Sequence, residues 1–168
     1  VEFASPELNF SINEISTLIK SEIKNIDFRA LIHQVIDWNG FDIGVEYRPG
    51  DIRFKGSKFE RKLKFGYGHI RKYLGADGEA LDCYLSDEFF TADSPSENIY
   101  EVTQLSAEDG DFDEHKFMLG FSSIESAQDA YLSEMSEKLF GGIREARRQE
   151  LEQYKKNTTV LVSSDAIA

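Results

Sequence analysis

Phe41-Asp42-Ile43-Gly44-Val45-Glu46-Tyr47 alternates apolar and polar residues over seven positions. Period-two alternation is the mark of a strand with one buried face. Pro49-Gly50 then turns the chain, and Phe54, Phe59, Leu63, Phe65 and Tyr67 punctuate two further candidate strands. Residues 80–85, 99–105 and 114–119 repeat the texture, separated by turns rich in Gly, Asp and Ser. Short strands at this spacing predict a small antiparallel barrel.

Outward from the strands the periodicity changes. Ser11-Ile12-Asn13-Glu14 has the pattern of a capping box, and Ile15, Leu18, Ile19 and Ile23 follow at helical spacing. Asp27 can cap a second helix carrying Leu31, Ile32, Val35 and Ile36, with Asn39-Gly40 as the turn that ends it. Residues 1–38 therefore read as an N-terminal helical leader, and residues 39–168 as the main domain. Near the other end, Ser122-Ser123-Ile124-Glu125 reads as a second capping box opening a helix to about Glu137. Gly141-Gly142 reads as a break, 144–156 as a charged helix, and Thr158–Val162 as a segment that can close the sheet. There are no repeats.

The chain has 168 residues, 40% of them apolar and 30% charged, which suits one soluble globular domain with a sizeable core. No apolar run reaches the length of a membrane span, and a cytoplasmic location in a bacterial or phage-infected cell is expected, with a virion as the alternative. Because the chain begins at Val1, it is expected to be a piece of a longer polypeptide or a processed product. The single cysteine, Cys83, lies in an apolar alternation and reads as a packed core thiol. The net charge of −12 argues against a general nucleic-acid binder. Residues 48–72 nevertheless hold nine of the nineteen basic residues against two acids. That zone is either a solvated hairpin or the place where a small anion is held.

The acids are clustered as well. Gly75-Ala76-Asp77-Gly78-Glu79-Ala80-Leu81-Asp82 places three carboxylates within six residues. A second cluster runs from Glu108 to Glu114 and leads into His115-Lys116. Hard divalent cations take such oxygen ligands, usually a few carboxylates completed by water and phosphate. The ligand spacing of an EF-hand is absent. Alternation places Glu114 and Lys116 on one face of a strand and His115 on the other, so His115, like His69 and His33, reads as structural.

In order and interval these elements resemble the soluble, Mg²⁺-dependent (family I) inorganic pyrophosphatases. The resemblance rests on Tyr67-Gly68-His69-Ile70, Asp77-x-Glu79-x-x-Asp82, Asp109-x4-Glu114-x-Lys116 and Tyr154-Lys155. Ten residues separate Tyr67 from Asp77, and twenty-seven separate Asp82 from Asp109. Residues 112–121 look more specifically like pyrophosphatase-like domains of phage-encoded multidomain proteins. The resemblance implies an α+β fold, an OB-like barrel with flanking helices, that hydrolyses pyrophosphate to two phosphates. It implies Mg²⁺, or Mn²⁺, held by Asp77, Asp82, Asp109 and Glu114, with Glu46 acting indirectly or through water. Glu79 would be the general base and Tyr67 a hydroxyl donor near the leaving group. Arg53, Arg61, Lys116, Tyr154 and Lys155 would bind the phosphates. Two departures stand out: Glu79 and Glu114 fill positions where the family usually has Asp. A longer arm misplaces a carboxylate, and a shift of ~1 Å can cost ~10²-fold in rate.

Two other functions fit the same residues. One is a catalytically weakened pyrophosphatase-like module used for interaction in a phage or virion. The other is a barrel that binds single-stranded nucleic acid through the aromatic and basic residues of 48–72. Self-association is a further expectation.

Overall fold

The computed structural model describes residues 32–155. Strand β1 (Gln34–Trp38) turns through Asn39-Gly40 into β2 (Phe41–Tyr47), with Trp38 opposite Phe41. Asn39 and Gly40 both have positive φ, 52° and 85°, as a two-residue type I′ hairpin turn requires. Val35 and Ile36 are therefore strand residues, not part of a second helix. Adjacent β-branched side chains beside an Asn-Gly signal favour extended chain. The helix expected after Ser11, the start of the second and Thr158–Val162 lie outside the described residues.

The chain continues through the short ribbon β3 (Ile52–Arg53) and β4 (Arg61–Lys62) to β5 (Gly66–Leu74) and β6 (Ala80–Leu85). Helix α1 (Asp87–Thr91) leads to β7 (Ile99–Leu105), β8 (Phe112–Leu119) and α2 (Ile124–Glu134). A 3₁₀ turn at Glu137–Leu139 precedes β9 (Phe140–Ala146) and α3 (Arg148–Glu152). Seven strands form one sheet in the order β1-β2-β5-β6-β8-β7-β9. Two features differ from the expected antiparallel barrel. Strands β6 and β8 pair in parallel, Cys83 opposite Phe117, because β8 inserts between β6 and its sequence neighbour β7. The hydrogen-bonded order also ends on β1 and β9, so among the described residues the sheet is not closed. It does curl: Trp38 and Phe41 at one end share a core cluster with Ile99 and Ala146 at the other.

Both faces of the sheet are covered. Ile43, Val45, Ile70, Leu81, Cys83, Leu85, Phe117 and Leu119 fill one cluster, to which Leu151 of α3 belongs. Tyr67, Tyr84, Tyr100, Val102 and Met118 form the other, with Ala127, Ala130 and Tyr131 of α2. Each fully buried large side chain contributes about 1.5–3 kcal/mol. Cys83 is fully buried, and burial pushes its thiol pKa well up, as a core thiol requires. Alternation along β8 divides it between the faces: Lys116 and Met118 on one side, Phe117 and Leu119 on the other. Functional groups at the polar ends of β5, β6 and β8 are thus fixed by two cores at once.

Helix α2 opens on Ser123, whose side chain and that of Ser126 cap each other's backbone N–H. The cap box is thus Ser123–Ser126, not Ser122–Glu125. The expected charged helix over 144–156 is mostly something else. Phe140–Ala146 is a strand paired with β7, and only Arg148–Glu152 is helical. Gly141-Gly142 falls inside that strand, where a register shift between Val102 and Gln104 of β7 absorbs it.

Candidate active site

The register of β5, β6 and β8 gathers four of the expected side chains. Tyr67 stands opposite Tyr84, so Asp82, two residues before Tyr84, shares its face. The glycine between Tyr67 and His69 has a steric cause, because a Cβ on Gly68 would collide with the Gly44 carbonyl. Tyr67 donates its hydroxyl hydrogen to Asp82 Oδ2 at 2.7 Å. Lys116 Nζ reaches three oxygens: Asp82 Oδ2 at 2.8 Å, Glu114 Oε1 at 2.8 Å and the Tyr67 hydroxyl at 3.0 Å. All three ammonium hydrogens therefore have acceptors. Gln104 Nε2 donates to the same Glu114 oxygen and to Asp113, and Tyr131 donates to Gln104 Oε1.

Electrostatics follows from this packing. Lys116 is 6% exposed. Burial alone would lower its pKa, but Tyr67, Asp82 and Glu114 outweigh that and raise it, so the ammonium stays charged. Burial raises the Tyr67 hydroxyl well above the usual phenol range, against the pull of Lys116. Burial also raises the Glu114 carboxyl, again opposed by Lys116. The corner thus holds a fixed cation, a neutral phenol and two carboxylates.

Above it opens a cleft of about 470 Å³ lined by Glu46, Tyr47, Arg53, Tyr67, Glu79 and Asp82, with Ile52, Phe54, Lys55 and Ala80. The register shift in β2 between Val45 and Tyr47 is a bulge. It brings consecutive residues Glu46 and Tyr47 to one cleft, which strict alternation would forbid. The β3 ribbon brings Arg53, whose guanidinium lies 4.2 Å from the Tyr67 ring centre and 4.7 Å from that of Phe54. Among the described residues its buried Nε has no hydrogen-bond partner. A buried unpaired donor is costly unless an acceptor arrives.

The remaining expected residues scatter. Asp77 lies in the exposed turn before β6, where its Oδ1 accepts from the Glu79 backbone N–H. Asp109 lies in an exposed turn before β8 and accepts from the Asp111 N–H. Glu46 is buried and meets His69 Nδ1 at 3.1 Å. Arg61 donates to the Glu134 carbonyl, tying the ribbon to α2, and does not line the cleft. Tyr154 packs against His115 and Phe117, the face of β8 opposite Lys116, and Lys155 bridges to Tyr73. Residue types alone did not single out Tyr47 and His69, and they named Phe54 and Lys55 only within the aromatic and basic zone of 48–72. His69 had a signal, since it shares the parity of Tyr67; Phe54 and Lys55 flank Arg53.

Among the described residues no three acids or histidines converge into a cage. Mg²⁺ does not need one, because it usually takes one or two carboxylates and completes its shell with water and phosphate. Asp82 and Glu114 each spend one oxygen on Lys116. Among the described residues the Glu79 carboxylate accepts no hydrogen bond. One or two of these carboxylates, completed by water and phosphate, would suit such an ion.

Fold and site together define an α+β domain whose polar cleft sets cations and carboxylates side by side, as a phosphate-processing protein does. Residues 22–156 match the family model described as Inorganic Pyrophosphatase, and the chain belongs to that family. No curated protein and no solved structure matches the chain. Among the described residues no helix is long and apolar enough to cross a membrane.

Proposed function

We propose that the protein hydrolyses the P–O–P bond of inorganic pyrophosphate. The observation that carries this reading is the single cleft that sets Arg53 and Lys55 beside Glu79 and Asp82, over the buried Lys116–Tyr67 corner. Arg53 and Lys55 take phosphoryl oxygens; the planar guanidinium suits two at once. Lys116 offsets the charge of Asp82 and Glu114, which would otherwise repel an anion. Tyr67, kept neutral, would turn its one hydroxyl hydrogen from Asp82 Oδ2 to an oxygen that gains charge as the bridging bond breaks. Glu79 takes the proton of the attacking water.

Mg²⁺, with Mn²⁺ as a substitute, would be held by one or two carboxylates, Asp82 and Glu114, completed by water and phosphate oxygens. Such an ion, when bound, acidifies a water ligand and neutralises phosphoryl charge. Glu46, held by His69, stands at the same cleft and would act on this set through water.

The test is phosphate release from pyrophosphate with Mg²⁺ or Mn²⁺, with EDTA as the control, in the parent chain and in Asp82→Asn. Metal-dependent release that falls at least ~10²-fold in a folded Asp82→Asn supports the reading. No release at micromolar protein, or full activity in the variant, overturns it.

A further inference from the structure

Pyrophosphate has no apolar part, yet one wall of the cleft is apolar. Ile52 and Phe54 line it and are 42% and 48% exposed, and Tyr47 stands beside them, half-buried. The cleft, at about 470 Å³, falls in the range of about 300–1,000 Å³ typical of pockets for organic ligands. Arg53 sits where the two halves meet, against Tyr67 on the carboxylate side and Phe54 on the apolar side.

The backbone adds a second, independent observation. Phe54 has φ 56°, in the left-handed region. A bulky residue there is an outlier, and Gly or Asn would hold the same turn with less strain. Nor is the ring placed there to complete a core, since it belongs to neither cluster. Strain retained at a cleft wall points to a use for the side chain.

We infer that the cleft takes a diphosphate carrying a flat organic group, a nucleoside 5′-diphosphate, with its phosphates at Arg53 and Lys55 and its base against Phe54 and Ile52. This rests on the hydrolytic reading above and narrows its substrate. In the reaction, water oxygen bonds to the terminal phosphorus and the bond from that phosphorus to the bridging oxygen breaks. The products are a nucleoside monophosphate and inorganic phosphate, with one proton released to solvent. No oxidant, reductant or co-substrate beyond water is needed. Stacking is tolerant of base identity because every base has a π-face.

The experiment compares phosphate release from ADP and from pyrophosphate. It also titrates the uncleavable α,β-methylene-ADP against methylenediphosphonate, using the parent chain and Phe54→Asn. Asparagine tolerates the left-handed φ, so the variant removes the ring and keeps the turn. The expected result is that ADP is cleaved with kcat/KM at least equal to that of pyrophosphate. The preference for ADP over pyrophosphate should fall about tenfold in Phe54→Asn, within the range for one lost stacking contact. Cleavage of pyrophosphate with no cleavage or binding of the adenine compounds overturns this inference and leaves the proposed function standing. An ADP preference unchanged in Phe54→Asn also overturns it. Ring-dependent binding of α,β-methylene-ADP with no cleavage of either substrate overturns the hydrolytic reading but supports the nucleotide site.

Discussion

The corner at Lys116 and the acidic turn at Asp109 are built from the same residue types and behave in opposite ways. At Lys116, carboxylates from two strands share one ammonium that is 6% exposed, and every ammonium hydrogen is used. At Asp109, acids crowd together along the chain yet stand in solvent, and Asp109 accepts the Asp111 N–H of its own turn. Density of charge in the sequence is thus a poor guide to where charge matters. What separates the two places is strand parity and burial, which decide whether a carboxylate meets a partner or only water.

The largest expected effect breaks the Lys116 side. Lys116→Met leaves Asp82 and Glu114 facing each other without a cation. Breaking a buried pair costs about 3–5 kcal/mol. The lower end applies here, because each carboxylate side chain is about a fifth exposed. Urea unfolding should show that loss, and phosphate release should fall by ~10²–10³-fold. A variant as stable as its parent would mean that the corner is solvated and that the contrast with Asp109 is false.

Next in size is the comparison of Asp82→Asn with Asp109→Asn. The first removes a charge bonded to both Lys116 and Tyr67. The second alters an exposed turn and should change stability by less than about 0.5 kcal/mol. A loss of that size in the transition state is about twofold in rate. Equal losses of phosphate release in the two variants would show that the Asp109 turn joins the cleft when substrate binds. That would bear out the role that the family resemblance implied for it.

How much of this was legible in the sequence depends on what fixed each residue. Tyr67, Asp82, Glu114 and Lys116 were named by the family resemblance, and strand alternation with the register of β5, β6 and β8 explains why they share one face. Arg61 and Tyr154 could not be placed, since their positions depend on α2 and α3 docking against the sheet. Val35 and Ile36 were misread because their spacing from Leu31 and Ile32 also fits a helix; the decision belonged to the Asn39-Gly40 turn. Strand β9 was hidden by its glycines and by Arg144 and Glu145, which face solvent. Glu46 and Tyr47 share a cleft only through a bulge, and no period-two reading predicts that.

A pH series sharpens the contrast by isolating groups that only the corner possesses. The folded pKa of Lys116 lies above its ordinary 10.5, and that of Tyr67 well above its ordinary 10.0. In both cases the folded state holds the proton more tightly than the unfolded chain. Stability from these groups is therefore fully present below those ordinary values and is lost as pH rises toward the folded ones. The parent should lose urea resistance steeply above about pH 10, and Lys116→Met should show a shallower decline. Glu114 has the same sign in the acid range: its raised pKa makes folding less favourable as pH rises through the interval above the ordinary 4.5. Equal alkaline slopes in parent and variant would remove Lys116 as the source.

The smallest expected effect lies on the opposite wall and has the opposite sign. Phe54 holds φ 56° at an exposed position, so its backbone costs stability that its ring does not recover by burial. Replacing it with glycine removes the Cβ that makes the left-handed region unfavourable, by roughly 1–2 kcal/mol per residue. Part of that gain is offset by the greater freedom of glycine in the unfolded chain, ~0.5–1 kcal/mol. Lost contact between the ring and Arg53 subtracts a little more. The net expectation for Phe54→Gly is a gain of up to about 1 kcal/mol, seen as a higher urea midpoint at unchanged slope. Lys116→Met should lose stability and function together, whereas Phe54→Gly should gain stability while losing affinity for nucleotide. A fall in stability would mean that the ring is held by packing, and the strain would then need no ligand to account for it.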